Sequence, residues 1–88
     1  MKLLAAKTAT TATNLGLGSA TAVAVYASAI TIITVIDSDG TEGGTNGTTI
    51  GSVTLPAASL TIINKDSDQF LLANVTSGKY SKIADGIV

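Results

Sequence analysis

Asp37-Ser38-Asp39-Gly40, with Glu42 two residues further on, is the densest group of chemically capable side chains in this 88-residue chain. Carboxylates in D-x-D-G order are hard oxygen donors of the kind calcium loops use. The pattern then fails, because the twelfth position counted from Asp37 holds Thr48 where such a loop needs a bidentate Glu. The segment reads as a solvated acidic turn, with a weak cation site as the lesser reading. Lys65 beside Asp66 is a second pair, an amine and a carboxylate where a strand should end. Neighbouring opposite charges in such a place are usually a solvated turn. Gly16-Leu17-Gly18-Ser19-Ala20-Thr21 echoes a dinucleotide fingerprint, but strand-like "AVAVYA" follows where a helix is required. The chain has no histidine, cysteine, tryptophan or arginine. It therefore lacks a base for neutral pH, a thiol nucleophile and a guanidinium. The expectation is a non-enzymatic protein with no catalytic residue, cofactor or metal.

Composition narrows the partners. A net charge of −1 with five lysines gives no cationic cluster for phosphates, so nucleic acid is not expected. From Thr8 to Ile36 there is no charge, which is long enough to span a bilayer. That stretch is broken by Gly16 and Gly18 and rich in Thr, Val and Ile, which favour strands, so no membrane partner is expected either. A chain this short buries only somewhat more than ~60% of its unfolded surface. Disulfides being excluded and metal disfavoured, association with other chains is the remaining means of stabilisation.

The elements that carry these residues read as strands. "KTATTAT" (7–13) alternates small apolar residues with Thr, as an edge strand or part of an extended arm spanning 1–14. "AVAVYA" (22–27) puts Val23, Val25 and Ala27 on one face, and Ala22, Ala24 and Tyr26 on the other. In "AITIITVI" (29–36), Ile30, Ile32 and Ile36 share one face and Ile33 and Val35 the other. Two apolar faces require two covers, from a sandwich or from another subunit. Asp37 to Thr49 is a loop, either a hairpin connection or a long mobile tip. Val53 and Leu55 share a phase that Ile50 breaks, which predicts a bulge at Gly51. Pro56-Ala57-Ala58 stops one strand before the next, so "SVTLPAASLTIINK" (52–65) reads as a hairpin with Val53, Leu55, Leu60 and Ile62 in the core. Asp66 and Gln69 resemble a capping box for one helical turn through Leu72. A strand, a Ser77-Gly78 turn and a strand from Lys79 to Ala84 complete the chain. The fold expected is one all-β domain over 1–88: a small antiparallel β-sandwich or barrel of about six to seven strands, with at most one short helical turn.

The order of these segments, "KTATTATNLGLGSAT", "AVAVYASAITIITVID", a Gly/Thr loop, "TIGSVTLPAASLTIINKDSDQF" and "GKYSKIA", resembles that of small β-rich virion structural proteins of tailed bacteriophages. The tail "DGIV" departs from that pattern. The resemblance implies a virion protein, assembled in the host cytoplasm, that decorates or cements the major capsid lattice. Neck, collar or tail accessory subunits are the alternative, and a self-assembling extracellular filament or surface-layer subunit is a further one. The implied partners are the major capsid protein or other virion subunits, and further copies of the chain as a homotrimer or other homo-oligomer. On this reading Ile30, Ile32, Ile33 and Val35 serve core or subunit packing. Lys2 and Lys7 in the arm, with Pro56 and Ala57 at the strand link, contact the lattice.

Overall fold

The computed structural model describes residues 2–84, so the "DGIV" tail lies outside the described residues. Seven strands form: β1 Thr8–Ala9, β2 Ala22–Ala27, β3 Thr31–Ile36, β4 Thr49–Leu55, β5 Ser59–Asn64, β6 Phe70–Ala73 and β7 Lys79–Lys82. They make two antiparallel sheets, ordered β1-β7-β2-β5 and β4-β3-β6. Their inner faces pack together as a small sandwich, and no helix forms among the described residues.

The main core is built by alternation, and a second, smaller cluster of Ala22, Ala24 and Ile83 is buried on the other face of β2. Val23, Val25 and Ala27 of β2 are fully buried, and they meet Ile33 of β3, Leu55 of β4, Leu71 and Ala73 of β6 and Tyr80 of β7. Val35 and Ile63 pack against this cluster partly buried. The expected bulge forms one residue before Gly51: Val35 pairs with Gly51 and Ile36 with Thr49, so Ile50 is the extra residue.

Two expectations about connections need correction. Pro56-Ala57-Ala58 does not close a hairpin, because β4 and β5 belong to different sheets and the link arches across the sandwich. Three residues suffice because Ala58 takes a left-handed conformation, φ 58°, and the Ser59 hydroxyl donates to the Pro56 carbonyl at 2.6 Å. Ser28 to Ile30 makes a second arch between β2 and β3 beside it, since Ala27 pairs with Ser59 and Thr31 with Leu55. The capping-box contact does form, Asp66 N–H donating to Gln69 Oε1 at 2.9 Å. It closes a turn rather than a helix, because Phe70 onward pairs with β3 as a strand.

The N-terminal arm lies docked on the body. Leu4 N–H donates to Lys82, Thr8 and Ala9 pair with β7, and Thr10 exchanges main-chain and hydroxyl bonds with Gly78. The chain then crosses to the other sheet, where Thr11 and Leu15 bond to Ala73 and Leu71 of β6. This crossing closes one flank of the sandwich. The opposite flank, edged by β4 and β5, has no such cover among the described residues.

Candidate interaction surface

The acidic loop is held by its own carboxylates. Asp39 accepts from the Thr48 N–H at 2.8 Å and from its hydroxyl at 2.6 Å, which holds its carboxyl below the usual aspartate range. Glu42 reaches across to the Gly16 N–H at 2.9 Å. Asn14, fully buried, donates its side-chain amide to the Thr41 and Asn46 carbonyls, while its main chain bonds Gly43 and Gly44. Packed beneath, Ile36 is buried although its phase points outward, and Gly47, at φ 114°, fits only because it lacks a side chain. No group of three or more metal-ligating side chains occurs among the described residues.

Lys65 turns away from solvent. Its ammonium donates to the Ala20 carbonyl at 2.7 Å and approaches the Asp66 main-chain oxygen, not its carboxylate, at 3.4 Å. Burial pulls its pKa below the ordinary lysine value, partly offset by the charges of Asp68 and Glu42. The amine thus anchors the end of β5 to the loop before β2. Beneath the arm, a cleft of about 270 Å³ is lined by Ala5, Ala6, Leu17 and Tyr80. Tyr80 Oη lies buried there with no hydrogen-bond partner among the described residues, and burial raises its pKa far above the usual tyrosine value.

What the described surface does present is apolar. Nine large apolar side chains are exposed: Leu3 and Leu4 lie in the arm, and the other seven lie on β2 to β5 and their links. This sorts the expected packing residues. Ile33 and Leu55 are core, at 1% and 3% exposure, and Val35 packs against them. Ile30, at 67%, stands on the arch between β2 and β3, and Ile32 on the outer face of β3. Val53, Leu60 and Ile62 are not core residues, contrary to expectation. Val53 shares the inward phase of its partner Ile33, but β4 is an edge strand and leaves it 44% exposed. Leu60 and Ile62 fall on the outer face because β5 registers Ile63 on Val23 and Thr61 on Val25, the buried phase of β2. A one-residue change of phase turns every side chain to the other face of a sheet.

Lys2, Lys7, Pro56 and Ala57 are all exposed, at two separate places. The lysines lie along β7 on the closed flank. Pro56 and Ala57 join Ala29 and Ile30 in an uncharged, largely apolar tip formed by the two arches. Sequence reading missed Tyr26 as a surface residue; it pairs with Leu60 on the outer face. Its signal was an aromatic ring on the alanine face of a strand. It also missed Asn14, whose only signal was an asparagine before a glycine loop. No helix among the described residues is long and apolar enough to cross a membrane. Comparison with known protein families, with curated proteins and with solved structures found no match.

Proposed function

We propose that this chain is a non-enzymatic structural subunit of a tailed-bacteriophage virion, a decoration or cement protein that binds the major capsid lattice. The observation that supports this reading is the concentration of exposed apolar side chains on the arch tip and the open flank. Single surface apolar residues are ordinary, but seven of them on β2 to β5 and their links favour a contact surface. The tip carries Ile30, Pro56 and Ala57, and contact there needs no disruption of the core. Lys2 and Lys7 on the far flank supply a second, polar attachment. The side chains capable of chemistry support the same reading, because Asp39, Glu42 and Lys65 are committed to main-chain partners of the fold.

The test is mass spectrometry of purified particles from the phage that encodes the chain. The expected result is a fixed ratio to the major capsid protein, at the copy number of the lattice. A low copy number would instead support a neck, collar or tail ring. Absence from particles would overturn the virion reading.

A further inference from the structure

The four sheet edges are not equally protected. Exposed strand edges invite pairing with another chain, and proteins blunt them with short strands, bulges, charges, proline or a covering segment. Here β1 is two residues long, β6 is covered by Thr11 and Leu15, and β4 carries the bulge at Ile50. Among the described residues only β5 has none of these. Its six residues Ser59–Asn64 contain no proline, pair with β2 without a register shift, and lie in a stretch with no charge between Glu42 and Lys65.

The main chain of β5 has a definite outward set. Lys65 N–H donates to Thr21, and Ile83 N–H donates to Ala22 from the other side of β2. Odd residues of β2 therefore face β5, and their partners Ser59, Thr61 and Ile63 face back. The N–H and C=O groups of Leu60, Ile62 and Asn64 point away from the sheet.

We infer that β5 pairs with β5 of a second copy of this chain, antiparallel about a two-fold axis at Ile62. Ile62 then faces Ile62 of the other copy, and Leu60 faces Asn64. The two four-stranded sheets join into one of eight. On the outer face Tyr26, Leu60 and Ile62 of both copies form one apolar strip, and on the inner face Thr61 meets Ile63 and extends the core. Uncharged strands bring no like charges together. The six residues of β5 extend about 20 Å, comparable with the molecular extents of 29 × 26 × 20 Å. An isologous pairing closes on itself and does not propagate into fibres. It leaves the arch tip and the arm free, and it does not depend on the virion reading.

The isolated chain should have twice its monomer mass by light scattering, whatever particles contain. Ile62→Lys should halve that mass while the far-UV spectrum stays that of a β protein. Because the chain has no cysteine, register can be read by oxidation. Across the axis the two Cα atoms of residue 62 stand about 5.5 Å apart, within reach of a disulfide. Ile62→Cys should crosslink nearly completely, and Leu60→Cys, whose copies lie about 14 Å apart, should not. A monomer at all concentrations, a ladder of higher oligomers, or equal crosslinking at 60 and 62 would overturn the pairing.

Discussion

Asn14 Oδ1 and Tyr80 Oη are both buried without a hydrogen-bond partner among the described residues, but only Asn14 makes other side-chain bonds. Asn14 spends its amide donors on the carbonyls of the exposed loop residues Thr41 and Asn46, so Asn14→Ala removes both bonds and with them that tie of the loop to the core. The expected loss is about 1–2 kcal/mol in denaturant unfolding. Tyr80 keeps its hydroxyl buried without a partner among the described residues, so Tyr80→Phe should leave stability unchanged or raise it by about 1 kcal/mol. Its raised pKa adds a pH signature. The folded state holds the phenolic proton where the unfolded chain releases it, so the stability this group contributes is complete below about pH 10 and declines as pH rises further. Phe at position 80 should remove that part of the alkaline decline, read as melting temperature against pH. Lys65 acts with the reverse sign, because its folded pKa is lowered and stability rises with pH toward the ordinary lysine value.

At the scale of elements, the links set the architecture. Ala58 holds a left-handed conformation that costs an alanine about 1–2 kcal/mol. Glycine tolerates it but loses more entropy on folding, so Ala58→Gly should stabilise by about 0.5–1 kcal/mol in thermal melts. Gly78 is the contrary case. An added Cβ would stand 2.5 Å from the Tyr26 carbonyl oxygen and 3.2 Å from Thr10, where the arm crosses β7. Gly78→Ala should cost about 1–3 kcal/mol and loosen the arm, seen as faster amide exchange at Leu4 and Thr10.

For the whole molecule the decisive feature is the difference between its flanks. One is closed by the arm, while the other offers an open strand edge and, at its end, the arch tip. The lattice reading predicts that Ile30→Asp changes unfolding stability by no more than about 0.5 kcal/mol, since Ile30 makes no core contact. It should nevertheless abolish incorporation into particles. Unchanged incorporation would remove the tip from the contact surface.

The all-β class, the β2 faces, the loop and the bulge were legible in the sequence, because alternation, β-branching and glycine placement are local properties of the chain. Leu60 and Ile62 were not, since two apolar residues in one phase say nothing about which phase a neighbouring strand buries. Pro56 reads as turning a hairpin and turns an arch, because a proline at a strand end suits either link. Only the tertiary structure decided these points. Pairing β5 to β2 through Val23 and Ile63 committed the inward phase, put β5 in the sheet opposite β4, and left outside Leu60 and Ile62, which the sequence suggested for the core.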